Sequence, residues 1–186
     1  MKGAEARVEI DGETVNKKRV QKEYRHPELD ARINTERTRL EARLIRRASR
    51  EGVAVPDILQ EDDRELKMEK IEGPELRENM KEDFIVSMGE NVARLHEGGI
   101  VHGDLTTRNV ICSDQAYLID FGLAKASERS EDRAMDLHLF RQILGSQHPE
   151  KAPQAWESFM RGYRSFPGHE EVESRLKEVE ERGRYK

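Results

Sequence analysis

Apolar positions recur at two different periods along this chain, and the switches between them divide it into elements. Near the start, Val8 and Ile10 alternate with charged neighbours and Asp11-Gly12 is a hairpin signal, so residues 3–19 read as short strands around a turn. Over 29–50 the period becomes helical: Leu40, Leu44, Ile45 and Ala48 fall on one face among many arginines. Gly52 ends this helix and Pro56 forbids its resumption. Strands are expected over 53–59 and 65–69, with Glu61-Asp62-Asp63 as the turn between them. Ile71-Glu72-Gly73-Pro74 then breaks the pattern, which places a boundary between an N-lobe, 1–70, and a C-lobe, 71–186. Beyond it, Ile85, Met88, Val92 and Leu95 predict a helix over 84–98. Residues 101–112 read as a loop running into a strand, Ser113-Asp114 as a turn, and 117–119 as a short buried strand. After Phe121-Gly122 the chain reads as charged and irregular to about 132. Helices are expected over 136–144, 153–163 and 170–181, the last with Val172, Leu176 and Val179 as its apolar stripe. Strands with one long helix, followed by helices with one small hairpin, predict an α+β fold in two lobes.

Composition narrows the class. Of 186 residues, 38% are charged and 35% apolar, against a usual charged share of about 25%, so the surface is crowded with ions and the core is lean. Lys+Arg number 33 and Asp+Glu 38, for a net charge of −5; neither sign dominates. No apolar run approaches the roughly 18 residues of a membrane span, and residues 1–10 carry charges where a signal peptide needs an apolar stretch. Cys112 is the only cysteine. Disulfide scaffolds, membrane spans and collagen-like chains are excluded, and a cytoplasmic protein is expected.

The chemistry concentrates in His102-Gly103-Asp104-Leu105-Thr106-Thr107-Arg108-Asn109 and Ile119-Asp120-Phe121-Gly122. Phosphoryl transfer needs negative charge on a triphosphate neutralised and a hydroxyl or water aimed at the terminal phosphorus. Asp104 and Asn109 put a carboxylate and an amide at opposite ends of one short loop: the first to accept the nucleophile's proton, the second to bind a divalent ion. Asp120 brings another carboxylate to the same ion, and Mg2+ is served by two hard protein oxygens plus phosphates and water. A lone Asp-Phe-Gly is no more than a turn after a strand; the joint order, between a helix and a hairpin, carries the reading. Upstream, a lysine for the phosphates and a helix glutamate to hold it are needed. Lys17 and Lys18 both lie near a strand end. Glu36 and Glu41 both lie on the following helix; Glu41, three and four residues before Leu44 and Ile45, points inward, and Glu36 reads as solvent-facing.

These motifs resemble protein-kinase-like enzymes, and among them the small atypical, RIO-related kinase/ATPase subunit of the archaeal KEOPS tRNA-modifying complex. The carrying residues are Gly3-Ala4-Glu5-Ala6, Lys17-x-Arg19-x-x-Lys22-x-Tyr24-Arg25-x-Pro27-x-Leu29-Asp30, Glu36-Arg37-Thr38-Arg39-x-Glu41-Ala42-Arg43-Leu44 and Met68-Glu69-x-Ile71-Glu72-Gly73-Pro74. To these are added Leu95-His96 through Asn109, Asp120-Phe121-Gly122-Leu123, Asp136-Leu137 and the terminal Arg182-Gly183-Arg184. The resemblance implies a minimal bilobal kinase-like fold and selects Lys17 over Lys18. It implies ATP and Mg2+ as cofactors, with Asp104, Lys17 and Glu41 in the catalytic machinery and Asn109 and Asp120 as metal ligands. Glu69 and Ile71 would form the adenine hinge, Met68 would guard the pocket behind it, and the loop at Gly3 would cover the phosphates. It further implies ATPase or serine/threonine kinase activity supporting threonylcarbamoyladenosine formation in tRNA. The implied partners are the threonylcarbamoyl-transferase subunit, a small helical KEOPS subunit and tRNA. Asn16 departs from the pattern, where an apolar strand residue is usual, and Tyr185 interrupts a basic tail.

What the motifs lack is also informative. Gly103 stands where ordinary protein kinases carry an arginine that pairs with an activation-segment phosphate. No Ala-Pro-Glu anchor lies between Asp120 and Asp136, so ATP hydrolysis or autophosphorylation, with Ser127 and Ser130 nearby, is expected over broad action on peptides. Lys17, Lys18, Arg19, Lys22 and Arg25, the arginines of the long helix, and Arg182, Arg184 and Lys186 in the tail offer contacts to RNA phosphates. For the helix, a solvated face of Glu/Arg pairs stands beside that reading. His96 is expected to pack or cap, Trp156 and Phe159 to be core, and Cys112 to be buried. Two further readings are a nucleotide-holding scaffold that binds tRNA and a RIO-like or aminoglycoside-phosphotransferase-like kinase, against which Asp-Phe-Gly and the basic helix are set.

Overall fold

A computed structural model describes residues 6–184, with side chains to Arg182. Strands β1 (Ala6–Asp11) and β2 (Thr14–Arg19) form the first hairpin, closed at Gly12 with a positive φ of 58°. Helix α1 (Pro27–Arg50) follows, then β3 (Ile58–Glu61) and β4 (Glu65–Glu69). The four strands make one antiparallel sheet in the order β1-β2-β4-β3. Pairing on both sides of β2 fixes Lys17 opposite Val8 and Leu66. The period of two then puts Val15, Lys17 and Arg19 on one face and Lys18 on the other.

Helix α1 starts two residues earlier than its apolar pattern predicts, because Pro27 presets the first turn and Glu28 and Asp30 complement the helix N-terminus. Asp30 is fully buried, accepts from the Lys22 backbone and Asn34 and forms an ion pair with Arg25, which fastens the preceding loop to the helix. The strand expected over 53–59 forms only from Ile58. Residues 53–56 are buried but bond elsewhere: the Ala54 N–H donates to Asn91 and its carbonyl accepts from Leu118, while Pro56 has no N–H for a ladder.

The remainder comprises α2 (Glu82–Glu97), β5 (Ile100–Val101), the β6 (Val110–Cys112) and β7 (Ala116–Leu118) hairpin, β8 (Lys125–Ala126), α3 (Ser130–Gln147), α4 (Ala152–Tyr163) and α5 (His169–Arg184). Helices α2 and α4 cross at glycines: a Cβ on Gly89 would lie 2.1 Å from the Phe159 carbonyl, and one on Gly162 2.2 Å from that of Val86. The region read as irregular up to 132 contains a one-turn 3-10 helix (Phe121–Leu123) and β8, which pairs with β5 through Ile100 and Ala126. Two-residue strands carry no readable period. Helix α3 begins six residues early, since its first turn holds Glu131 and Asp132 rather than apolar residues. A single apolar core runs from Leu44, Ile45 and Ala48 of α1 through Met88 and Leu95 to Phe140, Phe159 and Tyr163. It ties α1, and with it the sheet, to the helices.

Candidate active site

Lys17 is the meeting point of three distant segments. Its Nζ donates to Glu41 Oε1 on α1 at 2.5 Å and to Asp120 Oδ1 after β7 at 2.7 Å. The Lys17 and Glu41 side chains are 9% and 2% exposed, and that of Asp120 is 50% exposed. Lys18, on the opposite face of β2, is exposed and pairs with Glu65; Glu36 is likewise exposed and pairs with Arg32. Burial works to lower the Lys17 pKa, but the charges and hydrogen bonds of Glu41 and Asp120 outweigh it and raise the ammonium above its ordinary value. Burial likewise opposes ionisation of Asp120, yet the Lys17 charge and hydrogen bond and the Gly122 N–H hold its carboxyl below the usual range. Both groups are therefore charged at neutral pH.

Asp120 has φ 62° and ψ 70°, and among the described residues it is the one non-glycine with positive φ. This sparsely populated conformation is kept by its bonds to Lys17 and Gly122 and aims the half-exposed carboxylate outward from the hairpin. Asn109 Nδ2 donates to the Asp104 carbonyl at 2.9 Å and to its Oδ2 at 2.8 Å. Both amide hydrogens are thus used, and Oδ1 is left to accept or ligate. Asn109 also holds the hairpin: its carbonyl accepts from the Ile119 N–H, beside Asp120. The oxygens of Asn109 and Asp120 are hard donors of the kind that suits Mg2+, and the residues present fit that ion.

The loop 102–109 is clamped at its start by Asp136 of α3. Its buried carboxylate accepts from the His102 N–H at 2.7 Å, the Gly103 N–H at 2.8 Å and His96 Nε2 at 3.2 Å. His96 bonds Tyr163 through Nδ1, and burial keeps its imidazole below the ordinary pKa, against the pull of Asp136. The packing role expected for His96 is thereby specified. His102 Nε2 reaches the Ile119 carbonyl and its ring lies 4.9 Å from that of Phe121, which joins the loop to the Asp-Phe-Gly turn. Gly103 has φ 78°, and a Cβ there would sit 2.4 Å from the Leu123 carbonyl. An arginine side chain at this position is sterically incompatible with the turn.

Met68 lies in β4 opposite Val15 and packs on the core; the Glu69 N–H is used by the Asp57 carbonyl. The Ile71 N–H has no hydrogen-bond partner among the described residues. Gly3 lies outside the described residues, as do Tyr185 and Lys186. A groove of about 560 Å³ lined by Arg43, Arg46, Arg50, Ile58 and Leu59 contains none of the residues gathered at Lys17.

Two contributors escaped the sequence reading. Asp136 appeared there only as part of the resemblance, and Arg19 as part of it and as one of several basic residues offered to RNA. Arg19 is instead buried against Glu41 Oε2 at 2.5 Å; its place two residues from Lys17 on a strand was the available signal. On α1, Arg32, Arg39 and Arg46 pair with Glu36, Asp63 and Glu61, which is the solvated Glu/Arg pattern. Arg182 pairs with Glu131 and Glu178, and α5 extends through Arg184 rather than ending at 181.

A strand-rich sheet with one long helix, a lysine held by that helix, and a loop and turn bearing Asp104, Asn109 and Asp120 define the protein-kinase-like class. The chain belongs to the RIO-domain family, whose model matches residues 8–141. A protein from Archaeoglobus fulgidus described as a probable serine/threonine-protein kinase BUD32 homolog is 39% identical over 184 residues, covering 98% of this chain and 94% of that protein. A probable bifunctional tRNA threonylcarbamoyladenosine biosynthesis protein from Methanoculleus marisnigri is 50% identical over 186 residues, covering 99% of this chain. The chain spans 35% of that relative's length. Among solved structures, the Rio2 kinase from Chaetomium thermophilum in its ADP/Mg2+-phosphoaspartate complex aligns with a TM-score of 0.66 and 12% identity, covering 100% of this chain and 70% of that one. At that identity the likeness is one of fold. The family match corrects one inference from sequence: Asp-Phe-Gly and a basic helix do not separate this chain from RIO-like kinases.

Proposed function

We propose that this chain binds Mg·ATP at the residues gathered around Lys17 and cleaves the terminal phosphate as an ATPase or serine/threonine kinase. In this reading it acts in the cytoplasm, within a KEOPS-type assembly that forms threonylcarbamoyladenosine in tRNA. The observation that carries the reading is the convergence of Glu41 and Asp120 on Lys17, across 24 and 103 residues of sequence, next to an Asn109 amide oriented by Asp104.

Lys17 would turn an N–H from Asp120 towards the phosphate oxygens while Glu41 keeps its ammonium in place. Asn109 Oδ1 and the Asp120 carboxylate would hold Mg2+, which when bound supplies charge neutralisation for the phosphates. Asp104, whose Oδ2 is already fixed by Asn109, would accept the proton of the attacking water or hydroxyl through its other oxygen. Ile71 would offer its N–H to the adenine edge, with Met68 and the Glu69 backbone beside it. The names of the relatives support the tRNA-modification context. The partners in this reading are a threonylcarbamoyl-transferase subunit, a small helical subunit, and tRNA met by the basic tail and the N-terminal sheet and helix.

Radiolabelled ATP turnover with and without a transferase partner and tRNA tests the proposal. Turnover that requires Mg2+ and Lys17, and that rises with partner and tRNA, is expected; wild-type turnover by Lys17→Ala refutes the site. If Lys17→Ala supports tRNA modification fully, the chain is instead a scaffold that holds nucleotide without using it.

A further inference from the structure

Glu41 is bound by two cations, and the phosphate chemistry uses only one of them. Arg19 projects from the same face of β2 as Lys17. Its Nη2 donates to Glu41 Oε2 at 2.5 Å while Lys17 takes Oε1 at the same distance. The Arg19 and Glu41 side chains are 4% and 2% exposed, so water cannot replace either partner.

We propose that Arg19 is a positioning residue for nucleotide binding: it holds Glu41 in charge balance so that Lys17 can shift its hydrogen bonds to the phosphates. This rests on the reading of Lys17 as the phosphate lysine. Four ionic groups meet here, two cations (Lys17, Arg19) and two carboxylates (Glu41, Asp120). With Mg·ATP bound, Asp120 would turn to the metal and Lys17 to the triphosphate. Glu41 then keeps Arg19 as a full partner. Without Arg19, a buried carboxylate would have Lys17 as its single cation, and would compete with the phosphates for it. The same double hold fixes α1 against β2 before any ligand arrives. A site built this way does not wait on a phosphorylated activation segment to bring α1 inward, in keeping with the glycine at 103.

A purely structural ion pair would alter stability without altering nucleotide affinity, and a double-mutant cycle separates the two roles. ATP KM and kcat and the melting temperature are measured for wild type, Arg19→Gln, Glu41→Gln and the double variant. Arg19→Gln is expected to raise ATP KM about tenfold, and to change it less than about twofold in the Glu41→Gln background. A lowered melting temperature with unchanged KM, or an undiminished rise in KM in the Glu41→Gln background, overturns the proposal. If Arg19→Gln does not fold, Arg19→Lys carries the test. It retains the charge, so its rise in KM is smaller and must likewise vanish in the Glu41→Gln background. Lys17→Ala distinguishes the failures: its inactivity beside a normal Arg19→Gln sinks the role of Arg19 alone, whereas its full activity sinks the nucleotide site as well.

Discussion

Asp120 shows how single residues carry the account. Its left-handed backbone is held by Lys17 and Gly122, and the Lys17 charge and hydrogen bond ease the ionisation of its carboxylate. A carboxyl with a depressed pKa stabilises the fold above its ordinary value of 3.8, and that contribution is lost as pH falls through the folded pKa. Lys17, raised above 10.5, contributes below that value and loses its contribution as pH rises through the folded pKa. The difference in stability between wild type and Asp120→Asn should therefore stay flat from about pH 5 to pH 9 and shrink under acid; denaturant unfolding across pH measures it. At Gly103, an alanine meets both a positive φ and the Leu123 carbonyl. Gly103→Ala should cost about 1–3 kcal/mol and reduce ATP turnover further than that loss of folded protein explains, because the displaced turn carries Asp120. At this scale the sequence was most informative where the residues are contiguous: Asp104, Asn109 and Asp120 lie in one stretch with a fixed order. Arg19 was obscured because an arginine among other basic residues looks solvated until the carboxylate opposite it, on a different element, is known.

Elements place these residues, and α3 does so from underneath. Asp136 gathers two backbone N–H groups of the loop 102–109 and the His96 ring at a site with 2% exposure. Removing that acceptor strands the buried His102 N–H and His96 ring and the partly buried Gly103 N–H. Asp136→Ala should lose about 3–5 kcal/mol, and Asp136→Asn less, as urea unfolding would show; equal stability of Asp136→Ala and wild type would contradict the clamp. Long amphipathic elements such as α1 and α2 were legible within two residues. The β5–β8 pairing was not, because two residues have no period and the bond partners are 26 positions apart. The early start of α3 was hidden for a related reason: its first turn is acidic and held by local charge, with no apolar stripe to announce it.

For the whole molecule, one core links sheet and helices, so the elements that bear Lys17, Glu41 and Asp120 are held together by packing. The charged surface is mostly self-paired, and exposed pairs of this kind are each worth about 0–1 kcal/mol. Deleting residues 182–186 removes the pairs of Arg182 with Glu131 and Glu178 and should leave both stability and partner-free ATP turnover nearly unchanged. In the proposed assembly it should sharply reduce tRNA-dependent stimulation, read by turnover with and without tRNA; unchanged stimulation would remove the tail from the RNA contact. The overall architecture was legible because a period of two followed by a period near four is a global feature of the chain. Which basic groups remain free for a partner was not, since it depends on acids brought near by folding.

Asp120 and Asn109 are proposed to gather Mg2+ about a triphosphate held by Lys17, and the decisive measurement is Mg2+-dependent ATP turnover by Asp120→Ala. A loss of at least about a hundredfold is expected in a variant that melts as a folded protein. Turnover at the wild-type rate, with the same Mg2+ dependence, would contradict it.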